Sequence, residues 1–335
     1  MGQTGLVSGS PSARRQHHVP RFYLKRFADR GRLVAYDRAA ENSRQFISVK
    51  KAAQSPGFYD VPTRNGPSDG VEQALSQVES LSGSIVKSLI EDGVRSLAPS
   101  DRYRMAIFMA MQIVRGPDLT DNFFAATREF ESLRAAATTD GVKAQVAALL
   151  AISVDDLPEP TEDRIFPDPA DAPPEWFMRA AAVGLLAEPI AEWLFVRRWA
   201  SLDLGAAGLI TSDRPVVFYR VGNNDGEPTG IGNADLVIMP LSRRVALLVA
   251  NDDFDFESLG NHANVGEVFN KIVAVSSHRW VFHHPDDALP ADLKLPDRNP
   301  PAHSDAPTMH REGDAVRIRS RVRWNLPTPP PGWVP

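Results

Sequence analysis

The segment that most constrains the fold is an almost wholly apolar stretch at 101–115. Pro99-Ser100-Asp101 suits a helix start, and Gly116-Pro117 ends the pattern. Its apolar side chains leave no continuous polar face: Met105, Ile107, Phe108, Met109, Ala110, Met111, Ile113 and Val114. A helix that is apolar on all sides must be enclosed by other elements. The segment therefore predicts a buried central helix around which the rest of the chain packs.

Two polar residues, Gln112 and Arg115, interrupt one face of this helix. A buried guanidinium needs a carboxylate, a phosphate or several carbonyls, since an unpaired buried charge costs several kcal/mol. Arg115 also lies at the helix C-terminus, where the macrodipole favours a cation by about 0.3–1 kcal/mol. An anion-binding role and a structural role are both open for Arg115.

A second constraint is the β-branched stretch Leu209–Tyr219, which is interrupted at its centre by polar residues. Pro215 brings no N–H to a sheet, so it predicts an edge, a bulge or a strand end. Asp213 then lies where pairing lapses, either in a turn or facing a cleft. We expect this stretch to form a hairpin with a strand at 199–204.

The remaining patterns alternate between helix and strand. An amphipathic helix is predicted from Val71 to Ile90, with Glu72 and Glu79 sharing one side near the edge of its apolar stripe. A short helix is expected after Pro20, directly following His17 and His18. Further helices are predicted at 121–138, at 140–152 and at 175–198, the last with a kink or break at 188–189. Another helix is predicted from His262 or Ala263 to about Val275, with Asn261 as its cap and Asn270 facing inward. Strands are predicted at 33–37 and 45–49 as a hairpin, and at 236–241, 245–249 and 279–282.

These elements predict an α+β fold, in which a mostly helical half around the central helix packs on an antiparallel or mixed sheet formed largely by 199–283. We expect a disordered N-terminus at 1–13, one domain at 14–284 and a Pro-rich extension at 285–335. Within the extension, Val316–Trp324 alternates strictly and predicts one strand. Arg317, Arg319, Arg321 and Arg323 would share one face of it, which suits either phosphate contacts or the protection of a sheet edge.

Composition excludes several classes of function. The chain contains no cysteine, which excludes disulfides, thiol catalysis and cysteine-ligated metal sites. Its net charge of −5 gives no global attraction to nucleic acid or to an anionic membrane. No apolar run approaches the length of a membrane span, so we expect a cytoplasmic protein without a membrane partner. Signatures such as GxSxG, the P-loop and HExxH are also absent.

Several motifs follow one another along the chain: Gln16–Phe27, Phe58-Tyr59, Glu72 with Glu79, Gln112–Pro117, Ile210–Val216, Pro240–Ser242 and Asn270. Together they resemble the bacterial DUF4238 family, a domain of unknown function. The resemblance implies a single domain and brings no established activity. It maps the family histidine to His17 and places His18 at a position that is usually aromatic. Arg214 stands where the family pattern has Asn.

Polar groups from separate, otherwise apolar elements predict a composite site. The candidate catalytic residues are His17, Glu79, Arg115 and Asp213, and the candidate substrate-binding residues are His18, Gln112, Ser212 and Asn270. An imidazole can act as general base, carboxylates can orient it or hold Mg²⁺ or Mn²⁺, and Arg115 can stabilise an anion. Asp213 and Glu79 are the candidate metal ligands.

Three functions fit these residues. The first is a hydrolase acting on a phosphoester or another anionic substrate, with or without a divalent metal. The second is a non-catalytic binding or regulatory module whose buried polar network fixes the packing of the central helix. The third is a nucleic-acid-binding protein or a nuclease in phage defence, using the basic N-terminal segment and the arginines at 317–323.

Overall fold

The computed structural model describes most of the chain between 15 and 287. It covers 15–116 except 41–42, 57–60, 64–65 and 69; positions 153 and 155; 175–287 except 206–207, 221–228, 232 and 261–263; and short strands between 302 and 323. The predicted helices at 121–138 and 140–152, the N-terminal segment 1–13 and Phe58-Tyr59 lie outside the described residues.

Helices α1 (Arg21–Leu24), α2 (Gly70–Glu91), α3 (Pro99–Val114) and α4 (Glu175–Val196) form the helical half. The central-helix prediction is confirmed, since α3 packs against both α2 and α4, and Met105, Phe108 and Met109 are fully buried. The helix starts with Pro99 at its first position, where a missing N–H costs nothing. Of the predicted kink or break at 188–189, the break does not occur, because α4 continues through Pro189.

Two four-stranded antiparallel sheets replace the single predicted sheet, and the fold is α+β. Sheet I has the order β7-β11-β10-β9, and sheet II has the order β3-β2-β12-β8. The strands of sheet I are β7 (Arg198–Asp203), β9 (Val217–Tyr219), β10 (Leu236–Pro240) and β11 (Val245–Ala250). Those of sheet II are β2 (Arg32–Asp37), β3 (Ser43–Ser48), β8 (Thr211–Ser212) and β12 (Trp280–His283). The predicted hairpin at 33–37 and 45–49 is confirmed as β2 and β3.

Sheet I is buried on both faces. Val237 and Met239 of β10 join the core formed with α2, α3 and α4, while Leu236 and Ile238 join a second core. Helices α5 (Phe256–Gly260) and α6 (Val265–Ser276) cover that second face. Because alternate side chains of a strand point to opposite faces, each helical layer packs against every second residue of β10.

The predicted hairpin between 199–204 and 209–219 is wrong. Strand β7 pairs along its whole length with β11, and the 209–219 stretch divides at its polar centre into two short strands of different sheets. Its first half, β8, forms an edge of sheet II, and its second half, β9, forms an edge of sheet I. Pro215 lies between these two edges, as its missing N–H predicts.

Helix α6 begins later than the sequence pattern indicates. Its first residue is Val265, with Asn264 at the N-cap position, whereas the pattern predicted a start at His262 or Ala263 with Asn261 as the cap. Asn270 faces inward as predicted and is 4% exposed. Among the described residues, no helix is long and apolar enough to cross a membrane.

The remaining strands of the described chain are short. They are β1 (Arg15–His17), β4 (Gln54–Pro56), β5 (Val61–Thr63), β6 (Gly66–Ser68), β13 (Ala302–His303), β14 (Thr308–Glu312), β15 (Ala315–Arg319) and β16 (Val322–Arg323). In place of one strand over 316–324, the structure has β15, which pairs with β14, and β16, which pairs with β13. The four arginines of that stretch therefore do not share a single strand.

Candidate functional site

The N-terminal motif forms a strand followed directly by a helical turn. His17 ends β1, where it pairs with Gln54 of β4, and the N–H of His18 donates to the carbonyl of Ala53 at 3.0 Å. Pro20 then provides the N-cap of α1. The two histidines are thus held by backbone pairing immediately before the helix.

Arg115 joins three elements at the end of α3. Its side chain is 1% exposed, and its Nη1 donates to Oε1 of Glu79 on α2 at 2.8 Å. Its Nε donates to the carbonyl of His18 at 2.7 Å, and its Nη2 donates to the carbonyl of His17 at 3.1 Å. The guanidinium therefore meets the buried-charge requirement with one carboxylate and two carbonyls, and it fixes the histidine segment against α2 and α3.

Beside this cluster lies a pocket of about 500 Å³ between α1 and α2, called here the α1–α2 pocket. The α2 wall follows one helical stripe, stepping by four residues from Glu72 to Ser76 and Ser80 with Glu79 alongside. The opposite wall consists of His17, Arg21 and Phe22. The two glutamates predicted to share one side of α2 thus both line the pocket, as an edge position beside the apolar stripe allows.

His17 lines the pocket with a titratable imidazole. Burial lowers the pKa of its imidazole, the nearby Arg21 and Arg115 cations lower it further, and the backbone of Ala52 opposes them. The ring is therefore neutral at neutral pH. Its Nδ1 is buried and has no hydrogen-bond partner in the described part of the chain. A neutral imidazole beside a polar pocket is suited to accept a proton.

Gln112 lies on α3 between Phe108 and Arg115. Four residues before it, Phe108 packs on Phe22 with ring centroids 5.6 Å apart, and three residues after it is Arg115. Gln112 is 3% exposed, and neither atom of its amide has a hydrogen-bond partner among the described residues. Such a buried unsatisfied amide is unusual, because each unpaired group costs about 1–3 kcal/mol.

Asp213 occupies a different environment, at the end of β8. Its carboxylate accepts backbone N–H bonds from His278 at 2.8 Å, Arg279 at 2.7 Å and Trp280 at 2.9 Å. It is 2% exposed and does not line the α1–α2 pocket. These contacts join β8 to the start of β12.

Ser212 and Asn270 also bond to backbone near this strand. Ser212 Oγ donates to the carbonyl of Arg214 at 2.8 Å and accepts its N–H at 3.1 Å. Asn270 Oδ1 accepts the N–H of Ile210 at 2.9 Å, and its Nδ2 donates to the carbonyl of Gly208 at 3.1 Å. The described side-chain contacts of Ser212 and Asn270 thus go to the backbone of residues 208–214, whereas those of Asp213 go to the backbone at the start of β12.

The structure therefore divides the predicted site residues into two groups. His17, His18, Glu79 and Arg115 meet directly, and Gln112 lies on the same face of α3. Asp213, Ser212 and Asn270 lie around β8. No group of three or more His, Asp or Glu side chains arranged to hold a metal ion occurs within the described residues.

Among the polar residues of the pocket, sequence reasoning missed Arg21, Ser76 and Ser80. Counting four and eight residues along the helix from Glu72 would have found both serines. It also missed Tyr23, whose buried hydroxyl donates to the carbonyl of Pro240 at 2.6 Å and lies 2.8 Å from Thr211 Oγ1. This contact joins three of the separate motifs at one point.

The fold and the site define an antiparallel α+β domain with a polar pocket beside the buried Arg115 and its contacts. A family model described as "Protein of unknown function (DUF4238)" matches residues 15–287, and the chain belongs to that family. No curated protein and no solved structure matches the chain.

Proposed function

We propose that the chain is a hydrolase for a phosphoester or another anionic substrate, with its active site in the α1–α2 pocket. The observation that carries this proposal is His17, a neutral imidazole that lines a pocket containing a cationic side chain, Arg21. A base with a lowered pKa stays unprotonated at neutral pH, which is the state that proton abstraction from water requires.

In this proposal the water oxygen attacks the phosphorus or acyl carbon, and the bond to the leaving oxygen breaks. An imidazole nitrogen of His17 takes the proton from the attacking water and later returns it to solvent or to the leaving group. Arg21 neutralises charge on the substrate and on the transition state. On the opposite wall Ser76 offers a hydroxyl as a hydrogen-bond donor, while Ser80 Oγ, which donates to the carbonyl of Gln77 at 2.8 Å, can accept a hydrogen bond.

Arg115 has a positioning role in this proposal. The expected anion clamp is less well supported, since the guanidinium already donates to Glu79 and to two carbonyls. By holding the carbonyls of His17 and His18, it fixes the backbone that presents the imidazole. Glu79, held by Arg115, adds a carboxylate at the pocket wall.

A Mg²⁺ or Mn²⁺ requirement is a separate hypothesis. The sequence predicts Asp213 and Glu79 as the metal ligands. In the structure the Asp213 carboxylate accepts backbone N–H bonds at the start of β12, whereas the Glu79 carboxylate binds Arg115. The steps above use side chains of this chain alone. The comparison of Asp213 variants with and without divalent cation, given in the Discussion, tests the metal hypothesis.

The proposal is tested with p-nitrophenyl phosphate, bis-p-nitrophenyl phosphate and a p-nitrophenyl carboxylic ester, comparing wild type with His17→Gln. Removing a general base lowers kcat by about 10²–10⁴-fold. His278→Gln is the matched control, because it removes a histidine that does not line the pocket. The proposal fails if wild type turns over none of the esters, or if His17→Gln is as active as the control.

The second candidate is a non-catalytic binding or regulatory module. The buried Arg115 cluster favours it, because such a network fixes the packing of α3 whether or not chemistry occurs. It predicts that anions such as inorganic phosphate stabilise the folded chain while none of the esters is hydrolysed.

A further inference from the structure

The hairpin formed by β2 and β3 presents an exposed aromatic ring beside two guanidinium groups. Phe46 is 57% exposed, which is unusual for a phenylalanine side chain. The Cζ atoms of Arg32 and Arg44 each lie 5.8 Å from the centroid of its ring. We call these three residues the Phe46 surface. Arg32 lies on β2, and Arg44 and Phe46 lie on β3, which is an edge strand of sheet II.

The two guanidinium groups contact the ring and have no carboxylate partner in the part of the chain that the structure describes. At 5.8 Å both are near the outer limit of a cation–π contact, so they are held weakly. The carboxylate of β2, Asp37, is engaged elsewhere, since it binds Arg279 through bonds of 2.6 and 2.8 Å. Both cations are thus available to an anionic ligand.

The surrounding chain is locally basic although the protein as a whole is acidic. Residues 29–51 contain six basic and three acidic side chains, within a chain of net charge −5. Pairing of Arg32 with Ser48 brings Arg30, Lys50 and Lys51 to the same end of the hairpin, where all three are exposed. The positive potential is therefore concentrated around the Phe46 surface.

We propose that the Phe46 surface binds single-stranded nucleic acid. An exposed ring offers a face on which an unpaired base stacks, and the flanking guanidinium groups reach the phosphates on either side. A duplex hides its base faces, and an acidic peptide uses the charges without the ring. A ring flanked by two cations that have no carboxylate partner among the described residues therefore suits a single strand better than a duplex or an acidic peptide. This surface shares no residue with the α1–α2 pocket.

The experiment measures fluorescence anisotropy of a fluorescein-labelled oligothymidylate with the full chain, at low salt and at physiological salt. Phe46→Ala removes the stacking face, and Arg32→Gln with Arg44→Gln removes the charges but keeps the ring. Leu81→Ala is the matched control for the first, because Leu81 is similarly exposed at 54%. Lys25→Gln with Arg95→Gln is the control for the second, because it removes two exposed charges elsewhere. Thermal melting of every variant verifies folding.

Phe46→Ala is expected to weaken binding at least about fivefold, the lower end of the effect of losing one stacked base. The arginine double variant is expected to weaken binding and to reduce its salt dependence. Both controls should bind like wild type, and single strands should bind more tightly than a duplex or heparin. The proposal is overturned if wild type does not bind at low salt, if Phe46→Ala binds like its control, or if duplex and heparin bind as tightly as the single strand.

Discussion

Replacing Asp213 by Asn tests whether this residue stabilises the junction of the two sheets. The carboxylate accepts three backbone N–H bonds of 2.7–2.9 Å from consecutive residues at the start of β12. An amide has one acceptor oxygen, so the variant keeps at most the two bonds that share one oxygen. Its NH₂ group then faces the third N–H donor, that of His278.

The size of the effect follows from these three bonds. One buried donor left without a partner costs about 1–3 kcal/mol, and the two retained bonds weaken because their acceptor is no longer charged. We expect Asp213→Asn to lower the free energy of unfolding by about 2–4 kcal/mol. Asp213→Ala, which removes all three bonds, should lower it by about a further 1–2 kcal/mol.

Urea unfolding followed by circular dichroism measures this change, with Asp92→Asn as a control. Asp92 is exposed at the end of α2, so its variant should lie within about 0.5 kcal/mol of wild type. A loss below about 1 kcal/mol in Asp213→Asn would refute the stabilising role. The series is repeated with Mg²⁺, Mn²⁺ and EDTA. If metal stabilises wild type and not the variant, Asp213 is a ligand and the metal hypothesis is supported.

Three further predictions concern other described residues. Arg21→Gln removes a cation that lowers the pKa of His17, so the imidazole pKa measured by NMR titration should rise; an unchanged pKa would contradict this electrostatic coupling. The hydrogen bonds from Arg279 lower the pKa of the Asp37 carboxyl, so this carboxylate stabilises the fold above about pH 5, and the contribution is lost as the pH falls below about 4. Asp37→Asn should therefore lower the free energy of unfolding by about 1 kcal/mol at neutral pH, a small value because Arg279 is half-exposed. In urea unfolding, the difference between the variant and wild type should disappear in acid. A difference that does not depend on pH would contradict this prediction. Gln112→Met replaces an amide that has no partner among the described residues by an apolar side chain of similar volume, so the free energy of unfolding should stay equal or rise by about 1 kcal/mol. Any hydrolysis should slow if the amide binds substrate. A clear loss of stability in urea unfolding would show that the amide is paired.

The sequence predicted the helical core because local pattern decides it. A stretch without a polar face, such as 101–115, must be buried wherever it occurs, and amphipathic spacing placed Glu72 and Glu79 on one side of α2. The need of a buried guanidinium for compensating groups likewise predicted that Arg115 would have partners. These conclusions depend on spacing within one element, which the chain alone determines.

Pairing between distant segments was decided by the tertiary structure. The polar break at 213–215 was visible in the sequence, but it does not specify that β8 joins β12 while β9 joins β10. The nearest apolar neighbour of 209–219 is β7, and a hairpin between them was the expected outcome. Strand β11 instead pairs with β7 over six residues, which satisfies more backbone bonds than the interrupted stretch offers.

The grouping of the polar residues has the same origin. His17, Glu79 and Arg115 come from three separate elements, and Asp213 resembles them in sequence because all are polar residues within apolar surroundings. Residue type and spacing along one chain determine which groups need partners. Only packing brings Arg115 to the histidine segment and Asp213 to the backbone of β12, because both contacts join segments far apart in the chain.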